Sequence, residues 1–215
     1  LYGEVAKQQK PGLGYGVQVD GKTYIEYAYD LLGRCEKKTQ TYPSGRKKEI
    51  TYTYVPGVKE GTTTALVGTI TENGKETAYT YDGRGNILEI CTKALDTGKV
   101  TDHIIYTYNG MNQVIREEDA VRGTTYTYTY DLGGNLLENK RYYLVNGVEE
   151  LRGTDTYTYS SGWKDQLTYF NGKAVTYDAM GNPLYYMGMN LTWEKGRQLK
   201  TLKKSGILSQ YVYDN

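Results

Sequence analysis

The amino-acid sequence predicts an all-β protein, built of repeated antiparallel β-hairpins that form a curved or spiralling single sheet. A cassette of alternating tyrosines, an aspartate and a glycine turn recurs along the 215 residues. Such recurrence marks a repeat architecture, in which each unit buries its surfaces against its neighbours. The residues leading into each copy alternate with period two, as a strand with two distinct faces requires. No stretch combines a helical period with caps at its ends.

Within a cassette the strand comes first. Thr125-Tyr126-Thr127-Tyr128-Thr129-Tyr130 alternates β-branched and aromatic residues, which puts tyrosines on one face and threonines on the other. Asp-x-x-Gly comes next. It suits a type I turn in which Asp accepts backbone hydrogen bonds and Gly enters the left-handed region, giving a three-residue hairpin loop with a bulge. Such a loop sets Asp131 opposite Asn135 and Tyr130 opposite Leu136, so the strand returns through residues 136–141. Two adjacent apolar residues come after the turn at Ile87-Leu88, Val114-Ile115 and Leu136-Leu137, one for each face.

In chain order, residues 1–23 read as an N-terminal flanking segment or incomplete repeat, and residues 24–215 as tandem repeats interrupted within the last one. The full cassettes place Asp30 and Gly33, Asp82 and Gly85, Asp131 and Gly134, and Asp178 and Gly181 at structural turns. Weaker copies occur at Tyr106-Thr107-Tyr108-Asn109, Tyr157-Thr158-Tyr159, Leu191-Thr192-Trp193-Glu194 and Tyr211-Val212-Tyr213-Asp214. Asn109 and Asn112 can fill both turn roles, whereas the Tyr159 copy is expected to turn differently at Ser160-Ser161-Gly162. The second ring of each copy falls at 29, 54, 81, 108, 130, 159, 177, 193 and 213, at intervals of 16 to 29 residues. That leaves room for two strands and two connections but not for a crossover helix. Between cassettes, Asp20-Gly21, Asn73-Gly74, Asn146-Gly147 and Asn171-Gly172 favour tight type I′ turns. The result is a continuous meander.

Composition separates a single sheet from a sandwich. Hydrophobic residues are 38% of the chain, with 25 Tyr against 1 Phe. A sandwich needs a dry core of Leu, Ile, Val and Phe, whereas a tyrosine buries its ring and keeps a hydroxyl for water or a partner. A partly wet sheet stabilised by stacked hairpins fits these residues better. The net charge of +1, from 26 basic and 25 acidic residues, gives no footprint for nucleic acid or an acidic membrane. The short runs Arg46-Lys47-Lys48 and Lys203-Lys204 read as solvated loop or edge-strand residues. No apolar stretch approaches the roughly 20 residues of a membrane helix.

No catalytic residue, cofactor site or metal site is expected. His103 is the one histidine and reads as a surface strand residue rather than a general base. Cys35 and Cys91 lack the spacing of a zinc site; they would form a disulfide if their strands stack, but free, half-buried thiols are the expectation. The recurrent Asp residues all precede x-x-Gly and are turn-formers rather than acid–base pairs or calcium ligands. Gly83-Arg84-Gly85 is a turn, not a phosphate cradle. Rows of rings can stack on sugar faces, although ladders between neighbouring hairpins account for them better. Trp163 and Trp193 are the candidate carbohydrate-binding residues.

The repeated Tyr-Asp-x-x-Gly-Asn/Arg, with Leu or Ile after it, resembles the Rhs or YD-repeat family. Tyr29-Asp30, Tyr81-Asp82, Tyr130-Asp131, Tyr177-Asp178 and Tyr213-Asp214 carry the resemblance, which runs from about Tyr24 onward. That family includes bacterial polymorphic toxins, wall-associated proteins, the C components of insecticidal toxin complexes and teneurins. The resemblance implies an open fragment of a hollow β-shell, extracellular or at the bacterial cell surface. Its partner is then the rest of its own full-length chain, a C-terminal toxin or cargo domain. The family's terminal segment for aspartyl self-cleavage has no counterpart here, and Arg141-Tyr142-Tyr143-Leu144 is only a mid-chain echo of it. An alternative is a cell-wall or carbohydrate-binding module that holds a surface glycan with exposed Tyr and Trp. Open sheet edges would also let two copies pair as a homodimer.

Overall fold

The computed structural model describes residues 4–5, 14–160, 162 and 164–214. The chain divides into two compact units, Leu1–Thr107 with Glu118–Gly123, and Tyr108–Glu117 with Thr124–Asn215. In each, the described regular elements are β-strands, and strands that pair in space are consecutive in sequence, without a crossover. The expected antiparallel hairpin sheet is present.

In the first unit Gly16–Val19 pairs with Glu4–Val5 on one side and Lys22–Tyr29 on the other. Cys35–Thr41, Lys47–Pro56, Thr63–Glu72, Lys75–Tyr81, Ile87–Ala94 and Val100–Tyr108 continue the sheet in order. Alternation decides what each face offers. Tyr52 lies opposite Ile70 and Tyr79 opposite Ile90, while Thr53 and Thr69 meet on the other face with their hydroxyls 2.9 Å apart. Cross-strand pairs of these kinds each contribute about 0.2–1 kcal/mol.

In the second unit Thr124–Tyr130, Leu136–Val145, Val148–Tyr159, Leu167–Phe170 and Lys173–Ala174 form one meander. The ladder breaks at Val175, and a five-stranded sheet begins: Thr176–Tyr177, Pro183–Tyr186, Met189–Glu194, Gln198–Lys204 and Ile207–Gln210. Aromatic rings bridge the break. Phe170 meets Tyr157 edge-on at 5.2 Å and Tyr186 at 5.7 Å, contacts worth about 0.5–1.5 kcal/mol beyond their burial. Phe170 and Val175, each 8% exposed, are the buried hydrophobic residues among those described. Most of the tyrosines are half-buried, so the units are held by a lattice of partly wet rings and backbone ladders rather than a dry core.

Candidate functional site

The recurrent feature is the cassette turn and what its side chains reach. At Asp82, the amide of residue 82 donates to the Asn86 carbonyl at 2.9 Å and the Gly85 amide donates back to the Asp82 carbonyl at 3.1 Å. Asp82 Oδ1 accepts the amides of Arg84 and Asn86 at 2.8 and 2.9 Å, and its Oδ2 accepts Asn86 Nδ2 at 2.8 Å. Gly85 has φ +87°, where a Cβ is disfavoured. The same contacts recur at Asp131 with Gly133 and Asn135, and at Asp178 with Met180 and Asn182. At Asp30 the amide partner is replaced by Arg34, whose Nε donates to Oδ2 at 2.6 Å.

These contacts set the protonation of the carboxyls. The side-chain amides of Asn86, Asn135 and Asn182, seconded by backbone amides, hold Asp82, Asp131 and Asp178 below the usual carboxylate range. At Asp30 partial desolvation pushes the other way, and the combined hydrogen bonds and charge of Arg34 outweigh it. Asn109 makes the neutral version, its Oδ1 accepting Met111 and Gln113 amides at 2.9 and 3.0 Å while Asn112 takes φ +62°. In the Tyr159 copy the Ser160 amide donates to the Gln166 carbonyl at 2.9 Å, and Ser161 of the expected turn lies outside the described residues.

The second ring of most cassettes stitches the cassette to an earlier segment of the chain. Tyr29 donates its hydroxyl to the Gly14 carbonyl at 2.6 Å, Tyr54 to Cys35 at 2.8 Å and Tyr81 to Val67 at 2.8 Å. In the second unit Tyr130 donates to Val114 at 2.7 Å, Tyr159 to Leu136 at 3.0 Å, Tyr177 to Leu167 at 2.8 Å and Tyr213 to Leu199 at 3.1 Å. Trp193 does the same through its indole Nε1, 2.7 Å from the Pro183 carbonyl. Cys35, Val114, Leu136, Pro183 and Leu199 each stand five residues after the turn residue at Asp30, Asn109, Asp131, Asp178 or Glu194. That fixed spacing is visible in the sequence, but a strand register is needed to read it as an acceptor position.

A second stitch runs forward from the residue four after the turn Asp. Arg34 donates to the Thr64 carbonyl, Asn135 to Lys164 at 3.2 Å and Asn182 to Gly196 at 2.7 Å. Asn182 is 5% exposed, yet its amide is satisfied on both sides. Acting in opposite chain directions, the two stitches tie a cassette to its predecessor and to its successor.

Trp193 is half-buried with its N–H engaged, and Trp163 lies outside the described residues. His103 pairs with Glu89 across neighbouring strands at 2.6 Å. Cys35 and Cys91 are free and half-buried, and burial raises the Cys35 thiol above its ordinary value. No group of three or more metal-ligating side chains occurs among the described residues. One turn carries no sequence signal of the cassette kind. Tyr42-Pro43-Ser44-Gly45-Arg46 forms the cassette loop with Tyr in place of Asp, Tyr42 N to Arg46 O 2.9 Å and Gly45 N to Tyr42 O 2.8 Å.

No protein-family model and no curated protein matches this chain. Solved structures do. The crystal structure of TcdB2-TccC3-Cdc42 matches 88% of the chain with a TM-score of 0.61 at 17% identity. That of TcdB2-TccC3-TEV matches 93% with a TM-score of 0.56 at 16% identity, and the Photorhabdus luminescens Tc holotoxin pore 88% with 0.53 at 16%. The likeness is one of fold. The chain spans 12% to 13% of the length of those chains, and folds as a segment of a Tc toxin-complex chain does.

Proposed function

We propose that this chain is a non-enzymatic strip of β-shell from a protein of the Rhs/YD-repeat family. In the full-length polypeptide the shell encloses or presents a C-terminal toxin or cargo domain, outside the cell or at the bacterial surface. The repeated stitch carries this reading. At Asp30, Asp82, Asp131 and Asp178 the carboxylates are committed to backbone amides and to the side chain four residues on, and the phenols of Tyr29, Tyr81, Tyr130 and Tyr177 before them to carbonyls of preceding segments. The fold shared with Tc toxin-complex chains supports it, because the resemblance of the cassette points to the family that holds their C components.

Limited proteolysis of the full-length polypeptide tests the reading. A cargo domain behind the shell should resist added protease under native conditions and become cleavable together with the shell as denaturant rises. Cleavage of the cargo at the rate of the isolated cargo domain, with the shell still folded, would overturn it.

A further inference from the structure

Asn-Gly occurs four times in the chain, at Asn73, Asn109, Asn146 and Asn171. Glycine has no Cβ to shield its amide nitrogen, so that nitrogen is free to attack the side-chain amide of the asparagine before it. The fold does not treat the four alike.

Two of the side chains are held. Asn109 Oδ1 accepts the Met111 and Gln113 amides at 2.9 and 3.0 Å, and its Nδ2 donates to Gln113 Oε1 at 2.7 Å. Asn171 Oδ1 accepts the Thr156 amide at 2.7 Å, and its Nδ2 donates to Asp155 Oδ1 at 2.7 Å. The side-chain amides of Asn73 and Asn146 have no protein partner among the described residues, and both residues are exposed. The sheet around them separates these two. Beside the Asn73 turn, Ile50 pairs with Glu72 and Ala94 with Lys75, and the Gly74 carbonyl accepts the Leu95 amide at 2.8 Å. Neighbouring strands clamp that tip from both sides. The Asn146 hairpin outruns its neighbours instead. Thr124–Tyr130 pairs with it only as far as Tyr143, and Leu167–Phe170 only from Tyr157 onward. Arg116 and Thr125 anchor Glu149, but Leu144 and Val148, on either side of the turn, are 56% and 64% exposed. Opening this tip breaks only its own short ladder, at a small fraction of the cost of global unfolding.

We propose that Asn146 is a self-modification site, which deamidates through a cyclic imide while the protein is folded. The Gly147 amide nitrogen attacks Asn146 Cγ; the new C–N bond closes the ring, and ammonia leaves with the proton that the amide gives up. Water from the solvent then adds to one of the two ring carbonyls and breaks its C–N bond. One opening yields aspartate at 146, the other isoaspartate, whose main chain runs through Cβ. Asn146 and Gly147 hold φ +52° and +79° in a two-residue turn between Val145 and Val148. An extra main-chain carbon no longer fits that turn, so isoaspartate loosens the hairpin. The site is independent of the shell reading.

Peptide mapping by mass spectrometry, during incubation of the folded 215-residue chain at mildly alkaline pH, is the test. Deamidation adds about 1 Da at the site that reacts, and an isoaspartyl methyltransferase counts the isoaspartate separately. With the chain unfolded in urea, the four sites should react at similar rates. In the folded chain Asn146 should lead, at least about tenfold faster than Asn171, with Asn73 between them. Urea below the unfolding transition should leave the Asn146 rate unchanged, because a local opening exposes little surface. The proposal is overturned if folding silences Asn146 as fully as Asn171, if another of the four sites reacts first, or if the Asn146 rate climbs in step with global unfolding.

Discussion

Tyr79 and Tyr81 share one face of one strand, yet only the second is tied to another strand through its hydroxyl. Tyr81 donates to the Val67 carbonyl at 2.8 Å, while the Tyr79 hydroxyl has no protein partner among the described residues. Tyr81→Phe should therefore cost about 0.5–1.5 kcal/mol, and Tyr79→Phe much less, measured as the shift in the urea midpoint at unchanged slope. Burial raises the phenols of Tyr29, Tyr54, Tyr81, Tyr130, Tyr159 and Tyr177. A raised folded value means that the folded chain keeps the proton longer, so this stability is whole below the ordinary phenol pKa of about 10 and drains away as pH rises through the folded values. For Asp30, Asp82, Asp131 and Asp178 the sign is reversed: depressed folded values give stability that is present above the ordinary carboxyl range and lost as pH falls through them. The melting temperature should be flat near neutrality and fall on both flanks, with the tyrosinate absorbance of the buried phenols rising late on the alkaline side.

Glycines one and three residues after Asp82 have different work in the same hairpin. Gly85 sits at φ +87°, whereas Gly83 has an ordinary backbone and open space where a Cβ would stand. Gly85→Ala should cost about 1–2 kcal/mol and Gly83→Ala nothing or slightly less than nothing, compared by urea denaturation. Turns are also where the sequence is most readable. Asp20-Gly21, Asn73-Gly74, Asn146-Gly147 and Asn171-Gly172 all adopt positive φ at both residues, because few other pairs tolerate a type I′ turn. Met187-Gly188 and Ser205-Gly206 adopt it too, with φ +48° and +49° at the first residue. Neither Met nor Ser advertises that conformation, so the neighbouring strands impose it. The Tyr42 loop is hidden for a similar reason: backbone bonds close it, seconded by the Ser44 hydroxyl accepting the Arg46 amide at 3.5 Å, and no Asp marks it.

Across the molecule, the hairpin order is legible because alternation and turn chemistry are local, whereas the stitches are not, since they join residues 10 to 30 positions apart through a register that only the assembled sheet defines. The same limit applies to edges, which no local pattern announces. Ile207–Gln210 is the outermost strand of its five-stranded sheet, with Ile207 71% and Leu208 54% exposed. An outer strand carries a row of backbone donors and acceptors with no strand beside it, and apolar side chains there add a reason to recruit one. A second copy offers the same edge, and antiparallel pairing of two such edges is self-complementary. Light scattering across a concentration series should show the mass rising from 24.3 kDa toward twice that value. Leu208→Lys, which places a charge on the edge opposite Lys203, should hold the mass at that of one chain at a small cost in melting temperature from the like-charge pair. A native mass of one chain at every concentration, or association that survives Leu208→Lys unchanged, would place any contact between copies elsewhere.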